Sequence, residues 1–178
     1  VTSETAHSLA YRHIMHGSSF ELSKQGYKIY DLAKALGLNT QEGERYGHYV
    51  LANHINKFFS YFCNSNARRI DELNYVDTLQ EPKAKKFAKN FKRHIYNGTL
   101  AFWQKMEVGE IAITHDFYLK KFQLSNPKLP YDYILFDEGQ DASPAMLDVF
   151  LKQKAIKIIV GDEHQQIYGW RHAVNSLA

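Results

Sequence analysis

Two apolar runs, each ending in acid and separated by a helix signal, constrain this chain more than any other feature. Residues Tyr131 to Phe136 read YDYILF and stop at Asp137-Glu138; Ile156 to Val160 read IKIIV and stop at Gly161-Asp162. Between them, Ser143-Pro144 joins an N-capping hydroxyl to a proline suited to the first helical position. Met146, Leu147, Phe150 and Leu151 then mark one buried helical face. Strand, helix, strand over about 30 residues predicts a βαβ unit with parallel strands, hence an α/β class. Ligands of such sheets lie beyond the carboxyl ends of the strands, where both acidic tips fall.

Paired carboxylates delivered by a buried strand suit phosphoryl transfer. Magnesium takes hard oxygen ligands and keeps several waters, so a single carboxylate often serves it. Hydrolysis also needs a group that orients or deprotonates the attacking water. Asp137 fits the metal role and Glu138 the base role. A solvated turn is the plain alternative for Asp-Glu alone; Gln140-Asp141 and the second tip weigh against it. At that second tip, Gly161 lets the backbone turn close to the sheet edge. Asp162 sets a carboxylate beside the first pair. Gln165 and Gln166 are neutral groups able to sense a terminal phosphate. Tyr168, Trp170 and Arg171 then interleave rings with a cation. Base stacking on rings is worth roughly 1–3 kcal/mol per base and tolerates any sequence; arginine adds phosphate or cation–π contact. Taken singly, either ring is at least as readily an ordinary packing aromatic.

The 178 residues suit one domain, or one domain with an inserted subdomain. Residues 1–25 read as a strand or loop, then a helix through Ser8, Leu9, Tyr11 and Ile14 that ends near Gly17. Residues 26–112 are mainly helical in pattern. Asp31 offers an N-cap for Leu32, Ala35 and Leu36, and Val50, Ile55, Phe58, Phe59 and Phe62 share a helical face. Lys83 to Tyr96 reads as one further helix with Phe87, Phe91 and Ile95 on a stripe. Thr114 to Leu124 reads as another, ended by Asn126-Pro127 and Leu129-Pro130. The net charge is only +3, but Lys83, Lys85, Lys86, Lys89, Lys92 and Arg93 run without an acid among them. That face is either simply solvated or docks on DNA phosphates. No apolar stretch is long enough to span a bilayer and no signal pattern opens the chain. The single cysteine, Cys63, excludes an internal disulfide framework and a cysteine zinc site, and an intracellular, reducing compartment is expected. Val1 is not an initiator, so a piece of a longer protein is expected.

DEGQD, Asp137 to Asp141, resembles the DExQD motif of the superfamily 1 UvrD/Rep/PcrA helicases. GDEHQQIYGWRHA resembles their next motif, commonly GDxxQSIYxWRGA, and TAHSL at residues 5–9 resembles their upstream TFHSL. Gln166, the stretch THDFYLKKFQLSNP and SPAML are similar to the F-box DNA helicase branch in particular. The likeness is close over residues 113–177, looser over 1–16, and weak between.

The resemblance implies a RecA-like P-loop NTPase core with a partial parallel sheet. It assigns 1–25 and 113–178 to the first motor domain and 26–112 to a mainly helical insertion. It implies ATP and Mg2+ as cofactors, single-stranded and forked DNA as partners, no membrane, and 3′-to-5′ translocation with duplex unwinding in DNA repair or recombination. Such a protein is cytoplasmic if bacterial or viral and nuclear if eukaryotic. Carried over, Asp137 holds magnesium, Glu138 activates water, and Gln165 contacts the γ-phosphate, with Asp162 beside it in the nucleotide pocket. Thr5, His7, Ser8, Tyr168, Trp170 and Arg171 meet the DNA strand. Departures from the pattern are Ala6 for phenylalanine, Gly139 for alanine and His172 for glycine. No GxxxxGKS or GxxxxGKT loop is present, so the phosphate-cradling lysine is expected before Val1 and the second motor domain after Ala178. The competing readings are a non-hydrolysing, helicase-like DNA-binding or regulatory module, and the motor part of a helicase-nuclease.

Overall fold

The computed structural model describes residues 2–38 and 47–162. Seven α-helices and two strands are found there: α1 (Ala6–Met15), α2 (Ile29–Ala35), α3 (Gly47–Asn64), α4 (Pro82–Asn90), α5 (Lys92–Glu107), α6 (His115–Leu124), β1 (Tyr133–Phe136), α7 (Pro144–Leu151) and β2 (Ile156–Ile159). Three helices start on side-chain caps that satisfy a free backbone N–H. Thr5 accepts from Ser8 N at 3.0 Å, Thr114 from Phe117 N at 3.2 Å, and Ser143 from Met146 N at 3.3 Å with Pro144 following.

The strands are parallel, as expected, with Tyr133 opposite Ile156 and Phe136 opposite Ile159. They are not buried on both faces. α7 covers one side, where Phe150 meets Phe136 at 5.2 Å between ring centres. Tyr133 and Leu135 on β1 remain 68% and 64% exposed, and Ile156, Ile158 and Val160 face outward too. A run that is apolar on both faces belongs to a parallel strand with both sides covered; here the described residues supply one cover. Leu151 likewise turns outward, while Met146, Leu147 and Phe150 are buried.

α3 is the central helix. It carries Ile55, Phe58, Phe59 and Phe62 into the core and packs on α2, α5 and α6, while Val50 stays exposed. Phe59 meets Phe102 of α5 at 4.7 Å. The two helices approach closely at Gly98, where an added Cβ would stand 2.2 Å from Ile55 Cδ1. Two helix expectations are corrected. Asp31 lies in the first turn of α2 and Lys28 holds the cap position. The basic run is two helices, broken at Phe91 (φ −108°, ψ 21°). The break lets Phe87 stack on both His54 and Phe91, at 5.1 and 4.5 Å, while Ile95 enters the core.

The segment between residues 24 and 112 leaves and returns at one place. Leu22 pairs with Ile113 in an isolated parallel bridge; Ser23 N donates to Ile113 O at 2.9 Å and Ile113 N to Glu21 O at 2.7 Å. The Tyr27 hydroxyl donates to Ala112 O at 2.7 Å. One buried apolar cluster nonetheless runs from Ala10 through α3 to Val149.

A buried polar knot joins α6 to the chain after α3. Lys120 is fully buried, and its three ammonium donors meet Ser65 O at 3.0 Å, Gln123 Oε1 at 2.7 Å and Ala67 O, with Phe62 beneath at 4.4 Å. Gln123 Nε2 donates onward to Asn66 O at 3.0 Å and to Asp148 Oδ2 of α7 at 2.9 Å. Burial pushes the Lys120 amine down to about 8.

Candidate functional site

The two acidic tips form one site because the hydrogen-bond ladder continues past the strand ends. Val160 N donates to Phe136 O at 2.8 Å, and Gly139 N donates to Val160 O at 2.9 Å. Asp137, Glu138 and Asp162 are all solvent-exposed. Beneath them sits Gln140, 1% exposed, which clamps the two tips together. Its Oε1 accepts Asp162 N at 3.1 Å, and its Nε2 donates to Glu138 Oε2 at 2.5 Å. Gly161 makes room for this clamp: a Cβ there would lie 2.2 Å from Gln140 Oε1 and 3.0 Å from Gly139 N. The close turn expected at Gly161 is thus a contact with a side chain from the first tip. Gln140 as a clamp was not foreseeable, since an amide after two acids reads equally well as a ligand contact.

Glu138 adopts the left-handed conformation, φ 54° and ψ 41°. A residue with a Cβ pays roughly 1–3 kcal/mol for such a backbone, which persists only where surroundings fix it. The ladder at Gly139 and the Gln140 amide are those surroundings. Asp137 Oδ1 accepts Glu138 N at 3.0 Å, which sets the angle between the two carboxylates. For magnesium the donor set fits: Asp137 offers hard carboxylate oxygen at an exposed strand tip. Among the described residues no group of three or more His, Cys, Asp or Glu converges as a metal cage. Asp137 would therefore share the ion with water and phosphate oxygens, the usual magnesium arrangement.

The upstream residues sit on α1. Thr5 uses its hydroxyl to cap the helix, and Thr5, His7 and Ser8 are exposed. His7 Nδ1 lies 3.0 Å from the Tyr118 hydroxyl of α6, which also lies 3.0 Å from His115 Nδ1. One phenolic O–H can donate to only one imidazole, so the other imidazole donates its own N–H to the phenol oxygen. Tyr11 packs edge-on against the same ring at 5.6 Å. Burial raises the Tyr118 phenol above its ordinary pKa, helped by Tyr11 and Asp116. Tyr118 was missed in the sequence because nothing in the spacing of 7 and 118 links them. α1 connects with the acidic tips indirectly, from α1 to α6, α6 to α7, and α7 to β1. Gln165, Tyr168, Trp170 and Arg171 lie outside the described residues.

Among the described residues no helix is long and apolar enough to cross a membrane. The chain matches, over residues 1–178, the family model of the UvrD/REP helicase N-terminal domain. It is similar to F-box DNA helicase 1 of Gallus gallus, 56% identical over 66 residues, which are 36% of this chain and 6% of that protein. It is also similar to F-box DNA helicase protein 1 of Schizosaccharomyces pombe, 50% identical over 62 residues, 33% of this chain and 7% of that one. The matched part thus spans less than a tenth of either relative. No solved structure matches.

Proposed function

Since the chain belongs to the UvrD/REP helicase N-terminal domain family, we propose that it is part of the first motor domain of an ATP-dependent DNA helicase. The observation that carries this reading is the Gln140 clamp, which ties Glu138 to the backbone of Asp162, with Asp137 next to Glu138, at neighbouring parallel strand ends. Residues 1–25 and 113–178 belong to a RecA-like core, and 26–112 are its helical insertion; the pairing of Leu22 with Ile113 at the seam supports that division. A family whose members hydrolyse nucleotide implies a P-loop NTPase fold.

Asp137 would hold magnesium, which would supply charge neutralisation at the terminal phosphates of ATP. Glu138 orients and deprotonates the attacking water, its backbone already fixed by the clamp. Asp162 borders the nucleotide pocket and Gln165 contacts the γ-phosphate. Thr5, His7 and Ser8 on α1, with Tyr168, Trp170 and Arg171 beyond the second tip, follow single-stranded DNA at a fork. Movement is 3′ to 5′. The names of the chicken and fission-yeast relatives support a DNA helicase, and their eukaryotic sources support a nuclear setting.

The test uses the full-length protein. Glu138→Gln should keep ATP binding and lower DNA-stimulated turnover by about 100-fold or more, the range for losing a general base. Turnover within a few-fold of the native protein would remove Glu138 from that role.

A further inference from the structure

None of the residues in the acidic tips or in α1 lies on the strongly basic face of the molecule. That face is built by α4 and the start of α5. Lys83, Lys85, Lys86, Lys89, Lys92 and Arg93 make no ion pair among the described residues. Lys85 and Lys89 stand one helical turn apart, about 6 Å along the axis. With Lys86, Gln80 and Asn90 they line a concavity of about 500 Å³.

The break at Phe91 turns the chain so that Lys92 and Arg93 line a different hollow. This second recess measures about 390 Å³, with Phe58, Tyr75 and Ile95 buried in its floor and Tyr96 in its wall. Its acid, Asp71, is already paired with Arg69. A continuous helix would have left one basic stripe. The two-helix arrangement instead sets cations beside an aromatic hollow.

Unpaired like charges repel one another, and a polyanion is their complement. A ring-lined hollow beside them takes a flat heterocycle attached to that polyanion. Unpaired DNA offers both at once, because a splayed base can stack on aromatic side chains while its phosphates meet lysines. In a duplex the bases stay stacked and the hollow stays unfilled. An acidic peptide bearing an aromatic side chain is the competing occupant, and the family's action on DNA favours the nucleic acid.

We infer that α4 and the start of α5 form a docking surface for single-stranded DNA, with one unstacked base held in the recess against Tyr96. Phosphates lie on Lys85, Lys86, Lys89, Lys92 and Arg93. The inference rests on the helicase reading and adds a contact surface outside its motifs.

The test is fluorescence anisotropy with full-length protein and a labelled oligothymidine of about 20 nucleotides, titrated with NaCl. Each strand phosphate neutralised contributes about 0.7 to the slope of log affinity against log salt. The triple change Lys85→Ser, Lys86→Ser and Lys89→Ser should therefore lower that slope by about 2. Tyr96→Ala should weaken binding by roughly 5- to 10-fold with the slope unchanged. It should have no effect on an abasic strand of equal length, and Tyr96→Phe should bind as the native protein does. An unchanged slope in the triple variant, or an equal Tyr96→Ala loss on the abasic strand, overturns the docking surface. So does displacement of the strand by an acidic aromatic peptide but not by excess unlabelled oligothymidine. If the native protein does not hold the strand at all, the helicase reading falls with it; a defect confined to these variants' predicted behaviour leaves that reading standing.

Discussion

Gly161 and Gln140 compete for one volume, and that competition can be measured. A methyl at 161 would press on the Gln140 amide and on the Gly139 backbone nitrogen, which has no freedom to move aside. Gly161→Ala should cost about 1–3 kcal/mol, read as a lower urea midpoint. Gln140→Ala removes the partner of Asp162 N and should cost about 1–3 kcal/mol. Residues that share a contact are not additive, so the double variant should cost less than the two single losses together; strict additivity would deny the shared space. At this scale the sequence was informative about which acids sit at strand ends, because a tip is defined by where an apolar run stops. It was silent about Gln140 as a clamp and about Tyr118 between two histidines. Both depend on side chains meeting across long stretches of sequence, and no local period records such meetings.

Helices were legible where periodicity and caps agreed. Ser143 announces a start and caps one, while Thr5 and Thr114 cap α1 and α6 without being expected as caps. The run from Lys83 to Tyr96 misled because lysines and phenylalanines keep helical spacing through the break. Phe91 departs from helical geometry to satisfy ring stacking in space, which spacing along the chain does not encode. The crossing of α3 and α5 is equally hidden, since Gly98 looks like a poor helix residue until Ile55 is seen against it. Gly98→Ala would set a methyl 2.2 and 2.9 Å from Cδ1 and Cγ1 of the fully buried Ile55, so despite a gain of up to about 1 kcal/mol of helix propensity it should be net destabilising. Gly98→Leu must push the helices apart and should lose about 1–3 kcal/mol in thermal unfolding. Trimming Ile55 to Ala in the Gly98→Leu background should recover part of that loss, whereas a further drop of full size would place the close approach elsewhere.

At the scale of the whole molecule, Lys120 links stability to pH. Its amine falls from an ordinary 10.5 to about 8 in the folded state, mainly through burial. Between those values the unfolded chain holds a proton that the folded chain has released, so this group's contribution to stability rises with pH across the window. Urea unfolding between pH 7.5 and 9.5 should show a steeper climb in the native chain than in Lys120→Met, itself weaker at pH 7.5 because three acceptors lose their donor. Parallel pH curves would place the titration in another group. Burial also raises the Cys63 thiol well above its ordinary 9.0, which opposes the trend at the top of that window. Tyr27, Tyr75 and Tyr118, likewise shifted upward by burial, oppose it at higher pH, where the folded chain keeps protons longer. The α/β class and parallel pairing were readable from the 131–162 segment alone. The open outer face of the strands was not, because an apolar run states what a strand needs covered and not what covers it. The joined crossing at Leu22 and Ile113 has a broader result. A single doorway serves both departure and return, so the intervening lobe behaves as a cassette whose length the βαβ unit does not sense. Doubling a closed loop costs only about 0.6 kcal/mol. Provided α3 keeps the surfaces it presents to α6 and α7, such a lobe is free to drift in size, and its reach can be rebuilt while the paired strands stay as they are.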